Sequence, residues 1–251
     1  MTTLSARVPA FAVAIAVFSA GFALVSAQQT APSQANEHGR LFPPENLGLL
    51  EGPDRAIWQK PDQIMDALGV ADGSKVADIG AGAGWFTIRL ARRVGPNGVV
   101  YAEDIQQEML DVIRRRAARE GLRNVHTTLG AESAANLPAG QLDAVLVVDT
   151  YPEVRGDRVA FLKDLAAALK PDGRLGIVNY KLGGGGPGPS PSEGARIARG
   201  IVEAEALSAG LRVNAAENLP YQYLLVLTRQ QPAPARGTSA ARRYGRSPEV
   251  R

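Results

Sequence analysis

The stretch Val76-Ala77-Asp78-Ile79-Gly80-Ala81-Gly82-Ala83-Gly84-Trp85 has the residue types needed to bind a nucleotide-like ligand. Alternating Gly80, Gly82 and Gly84 let the backbone turn sharply and approach a ligand with no Cβ in the way. A helix starting near Trp85 aims its free N–H groups into the same space. Asp104, an acidic residue, follows at the end of the next apolar segment. A dinucleotide loop runs G-x-G-x-x-G. Here its last position is Trp85, and an indole there weighs against a pyrophosphate. Asp78, beside the loop, repels phosphates and suits a ligand with an ammonium or sulfonium charge. The absence of G-x-x-x-x-G-K-[ST] removes the P-loop reading.

Positioning these groups requires alternating strands and helices. Apolar runs predict strands over 75–79, 99–103, 125–129, 143–148 and 174–180, with helices over 85–94, 106–120 and 157–170 between them. The turn Pro171-Asp172-Gly173 separates the last of those helices from its strand. A helix over 195–209 and strands over 211–215 and 223–228 follow, and a helix over 54–68, broken at Pro61, comes first. The fold class expected is α/β: a doubly wound, Rossmann-like, mostly parallel seven-stranded sheet with the ligand at the strands' carboxyl ends. The closing helix–strand–strand, with no helix between the two strands, predicts an antiparallel last strand.

The chain of 251 residues suffices for one such domain with appendages. Residues 51–229 are read as the domain and 28–50 as a polar, proline-containing linker. Residues 230–251 form a basic tail of disordered composition. A net charge of +3, much of it in that tail, gives the domain no basic patch for nucleic acid. The absence of cysteine excludes disulfides, thiolate zinc sites and cysteine nucleophiles. The two histidines, His38 and His126, lie far apart in the sequence, so no metal dependence is expected. Val8 to Ala27 carry no charge and close on Val25-Ser26-Ala27, the pattern of a cleavable export signal over 1–27. The expected location is periplasmic or secreted. An uncut segment would anchor the protein in a membrane with the domain outside, and a misassigned leader would leave it cytoplasmic.

Val76 to Gly84 resembles the first motif of the class I S-adenosylmethionine-dependent methyltransferases. Val100-Tyr101-Ala102-Glu103-Asp104-Ile105-Gln106-Gln107-Glu108-Met109-Leu110 resembles that family's second-strand motif. Leu137-Pro138 through Asp149 is similar to its fourth-strand region, and Leu169-Lys170-Pro171-Asp172-Gly173-Arg174-Leu175 to its turn into the fifth strand. The resemblance covers Trp58 to Thr228 and implies S-adenosylmethionine as cofactor. It implies that Gly80, Gly82 and Gly84 admit the cofactor's amino-acid part and that Asp78 organises the loop and favours its ammonium. It implies further that Asp104 takes both ribose hydroxyls, Ile105 packs on the adenine and Glu132 reaches the adenine amino group. Asp149 would then end the fourth strand near the methyl group.

Methyl transfer from a sulfonium is an in-line displacement with an activated leaving group, so no catalytic residue need be visible and none is assigned. In many bacterial relatives the segment after the fourth strand resembles Asp-x-Tyr-His-Glu; here Pro152 stands in the histidine's place. Tyr151, Glu153, Tyr180 and Lys181 are candidates for the acceptor pocket. No N-P-P-Y type motif occurs, so a small-molecule acceptor is expected rather than nucleic acid. Contact with a membrane is expected only through an uncut leader. An exported, catalytically silent binding protein on the same fold is the competing expectation, and a dinucleotide-dependent oxidoreductase ranks below it.

Overall fold

The computed structural model describes residues 42–132, 134–187, 191–192 and 195–230. The segment read as an export signal, His38, most of the linker and the basic tail beyond Gln230 lie outside the described residues.

Seven strands form one sheet in the order β3-β2-β1-β4-β5-β7-β6. Strand β1 (Lys75–Ile79) lies at the centre, parallel to β2 (Val99–Asp104) on one side and β4 (Leu142–Val148) on the other. Strand β3 (Val125–Leu129) extends the sheet beyond β2, and β5 (Leu169–Tyr180) lies parallel to β4. Strand β7 (Gln222–Arg229) runs antiparallel to both β5 and β6 (Leu211–Asn218), so the expected antiparallel last strand is present. The chain runs outward from β1 to β3 and then returns to β4. The order of strands therefore reverses between β1 and β4, where open α/β sheets form a crevice at their carboxyl ends.

Side-chain alternation explains the layers. Val76, Val100, Ala144 and Leu146 pack against Ile64 and Met65 of α2 (Pro61–Ala67) and Phe86 and Leu90 of α3 (Trp85–Val94). Ala77, Ile79, Val145 and Val147 face the other way, toward Phe161, Leu162 and Leu165 of α5 (Arg158–Ala168) and Val202 of α6 (Arg199–Ser208). Helix α4 (Gln107–Arg119) adds Leu110 and Ile113 over Ala102. A strand such as β4, covered on both faces, reads as one apolar run because neither face meets water.

Several boundaries differ from the sequence expectation, most of all the starts of β5 and α6. Strand β5 begins at Leu169, directly after α5, and takes in the Pro171-Asp172-Gly173 turn as an irregularity. Leu142 pairs with Leu169 while Ala144 pairs with Arg174, so several β5 residues bulge against one step of β4. Pro171 has no N–H to offer the ladder there. Helix α6 starts at Arg199 rather than Ala195. The Arg196 side chain donates to the carbonyls of Pro191, Lys181 and Gly185, which holds the preceding residues in a loop.

The glycine loop's geometry is imposed by its neighbours. Gly80 has φ +63°, and a Cβ there would lie 2.8 Å from Thr150 Cβ. A Cβ on Gly84, φ +79°, would lie 2.9 Å from Ile113 Cγ1, so α3 can approach α4 only with glycine at its N-cap. Replacing Gly80 by Ala combines backbone strain with a clash. It is expected to cost about 2 kcal/mol or more in chemical denaturation, and an unchanged midpoint would contradict this packing account.

Candidate active site

The carboxyl ends of β1, β2 and β4 open into a cleft of about 330 Å³. Its lining includes Asp78, Gly80, Gly82, Asp104, Ile105, Glu132 and Asp149, so all but one of the residues expected to bind a cofactor come together. Gly84 lies outside the lining and acts through the shape of the loop.

Backbone N–H groups of the loop are taken up by acids at the end of β2. Gly80 N–H donates to Glu103 Oε2 at 3.2 Å, and Gly82 N–H to Asp104 Oδ2 at 2.9 Å. Asp104 Oδ1 also accepts from Gln106 N–H at 2.9 Å. Asp78 accepts from Thr87 Oγ1 at 2.6 Å, which ties β1 to the first turn of α3. Ile105 is 40% exposed, an apolar surface open inside the cleft. Glu132 pairs at 3.8 Å with Arg155; both side chains are more than half exposed, so this pair contributes little to stability.

Burial sets the acid strengths. It raises Asp78 to about 6, opposed by the Thr87 hydrogen bond and by the Arg55 charge. It raises Glu103 to about 8, opposed by Gly80 N–H and reinforced by the nearby charges of Asp104 and Asp78. Asp104 is raised too, with Gln106 and Gly82 N–H working against burial. Asp149 is raised to about 7 by burial, against the charge of Arg55 and the Gln222 hydrogen bond.

The cleft has a roof, part of which sequence reasoning assigned to the linker. A 3-10 segment, Pro44–Glu51, and the short helix α1 (Arg55–Gln59) bring Leu49, Leu50, Arg55 and Trp58 into the lining. The Arg55 guanidinium lies 4.4 Å from the Trp85 ring centre, while Arg89 lies 3.4 Å from it. Arg55 also donates to Leu50 O and to Gln59 Oε1. Trp58 packs beside Tyr180 and Tyr221 at ring separations of 6.1 and 6.4 Å.

At the exit of β4, Asp149 has φ +55°, a left-handed conformation rarely adopted by a residue with a side chain. It is partly open to the cleft; its Oδ2 accepts from Gln222 Nε2 at 2.6 Å, while Oδ1 has no partner. Gln59 Nε2 donates to Gln222 Oε1 at 2.9 Å, so α1 holds the group that holds Asp149. Arg55, Gln59 and Gln222 escaped the sequence reading because nothing local marks them. The two glutamines are 163 residues apart.

The acceptor-pocket candidates divide. Glu153 and Tyr180 line the cleft. Tyr151 is fully buried and turned away, its hydroxyl donating to Glu205 Oε2 at 2.7 Å while Arg158 holds the same carboxylate. Lys181 is outside the lining, its Nζ donating to Leu219 O.

Residues 76–173 match the family described as methyltransferase domain. The chain is 32% identical over 130 residues to the nocamycin O-methyltransferase of Saccharothrix syringae, covering 52% of this chain and 44% of that protein. It is 30% identical over 147 residues to the protein-L-isoaspartate O-methyltransferase of Methanothrix thermoacetophila, covering 55% of this chain and 67% of that one. The chain spans about half the length of most of the curated relatives it matches. Among solved structures, a SAM dependent methyltransferase from Aquifex aeolicus superposes with a TM-score of 0.69 at 26% identity, covering 74% of this chain and 98% of that one. Strand order, glycine loop, acid at the end of β2 and these similarities agree: the chain belongs to the class I S-adenosylmethionine-dependent methyltransferases.

Proposed function

We propose that this protein transfers a methyl group from S-adenosylmethionine to a small-molecule acceptor. The observation that carries the reading is the convergence of the glycine loop, Asp104 and Asp149 on one cleft. The cleft's volume lies within the range of small-ligand sites, about 300–1,000 Å³. Its lining fits the cofactor: acids for hydroxyls and cationic groups, and an exposed Ile105 for a flat base.

When bound, the cofactor supplies a methyl group already activated by its sulfonium charge. The chain's own residues bind, orient and exclude water. Gly80 and Gly82 let the backbone approach the amino-acid part, and Asp78 favours the ammonium directly or through water. Asp104 accepts from the ribose hydroxyls, Ile105 packs on the adenine and Glu132 reaches its amino group. The roof of Leu49, Leu50, Arg55 and Trp58 shuts water out over the loop. Asp149 takes a proton from an acceptor that must lose one, since its carboxyl, raised to about 7, titrates in the useful range. Trp58, Tyr180 and Phe161 give the remaining wall an aromatic character suited to an apolar acceptor, in keeping with the nocamycin O-methyltransferase likeness.

The leader over 1–27 supports export, which separates the domain from the compartment where the cofactor is made. Together with Pro152 in place of a histidine, it favours a second reading: an exported binding protein that performs no transfer. Cell fractionation and sequencing of the mature N-terminus test export.

The full chain is expected to bind S-adenosylmethionine at micromolar affinity in calorimetry; no heat and no thermal shift at millimolar ligand would sink the reading. Asp104→Ala is expected to weaken that binding by about tenfold or more through loss of charge-assisted hydrogen bonds. Unchanged affinity would refute the ribose assignment. Asp149→Asn is expected to keep cofactor binding while abolishing methylated product in extracts supplied with labelled cofactor; binding without product in the parent protein favours the silent reading.

A further inference from the structure

Glu103 has no part in the roles given above, and its surroundings are specifically made for it. The side chain is 3% exposed, and its Oε1 occupies the space that a Cβ on Gly130 would fill. Its Oε2 accepts from Gly80 N–H. By contrast, Asp104 has two backbone donors, Asp78 has the Thr87 hydroxyl and Asp149 has Gln222. Four acids from three strand ends thus line one cleft, and Glu103 is among the least compensated.

The charges around it are unbalanced. Glu103 faces Asp78 from β1, Asp104 from β2 and Asp164 from α5, all acidic. Arg55 from α1 is the cation that acts on Asp78 and Asp149, and it is itself held by Leu50 O and Gln59 and stacked on Trp85. Arg116 of α4 is committed to Glu51 and Glu120. Arg155 lies at the rim beside Glu132. A ligand that brings a net positive charge relieves this excess; a neutral one of the same shape does not.

We propose that Glu103 makes the cleft charge-selective, so that it holds the cationic sulfonium cofactor in preference to the neutral thioether left after methyl transfer. This rests on the reading of the cleft as the S-adenosylmethionine site. In the empty cleft the Glu103 carboxyl, raised to about 8 by burial, is mostly protonated at neutral pH. A cation lowers that value, so the proton leaves as the ligand enters and affinity rises with pH up to about 8. S-adenosylhomocysteine lacks the sulfonium charge and gains nothing from the ionised acid. The site thereby loosens its hold on the spent cofactor.

The test is calorimetric titration of the full chain with S-adenosylmethionine, S-adenosylhomocysteine and sinefungin, a cationic analogue that cannot transfer a methyl. Titrations are run in buffers of different ionisation enthalpy between about pH 6 and 7.5. Both cations are expected to gain about tenfold in affinity over S-adenosylhomocysteine across that interval, with release of about half a proton per site. Glu103→Gln keeps an acceptor for Gly80 N–H and is expected to cut the preference about tenfold at pH 7.5 and suppress the proton release. Equal pH dependence for all three ligands, with no proton released, overturns the proposal even if all bind. Binding of none of them overturns the cofactor reading and the proposal with it. Should the variant fail to fold, equal pH dependence of the three ligands on the parent protein still overturns the proposal, and Glu103→Asp, which withdraws the carboxyl from Gly80 and Gly130, is expected to lower the preference in its place.

Discussion

Two hydrogen bonds, from the N–H groups of Gly80 and Gly82 to the carboxylates of Glu103 and Asp104, tie the loop after β1 to the end of β2. They resolve a conflict built into a parallel sheet. Where neighbouring strands stop together, their last backbone donors have no further ladder to join, and buried donors left unpaired cost about 1–3 kcal/mol each. Using carboxylates as the acceptors fixes the loop and at the same time brings negative charge to the floor of the cleft. Loop shape and site charge are one arrangement seen from two sides.

The roof follows from that floor. With the acids gathered beneath, a guanidinium that reaches both Asp78 and Asp149 comes from outside the sheet, on α1. Burial opposes its charge, and three things oppose the cost of burial: a carbonyl, the Gln59 side chain and the Trp85 face. Gln59 then continues the chain of contacts to Gln222 and Asp149. The exit of β4 is thus oriented from both ends of the polypeptide, by a helix before β1 and by the last strand.

The sheet, its order of elements and the acids of the loop were legible because each is written locally: apolar runs of strand length, glycines in alternation, a carboxylate at the end of a strand. Trp85 and Asp78 by their residue types alone weigh against a dinucleotide. What was not legible depends on contacts distant in sequence. Residues 44–50 have linker composition, and only their packing over the loop makes them part of the site. Gln222 looks like any polar residue at the start of a strand. Tyr151 was read as facing the acceptor from its position after β4, but its hydroxyl finds Glu205 on α6, a partner no motif announces. The start of β5 was hidden by Pro171 and Gly173, whose turn chemistry is real but is absorbed as a bulge.

The chain has only two tryptophans, and both border the cleft: Trp85 between two guanidinium groups and Trp58 among tyrosines. Indole emission depends on nearby charge and on exposure to water. Displacement of the roof would unstack Arg55 from one indole and uncover the other. Intrinsic fluorescence, with no added label, therefore reports on the opening of the site and on little else in the molecule.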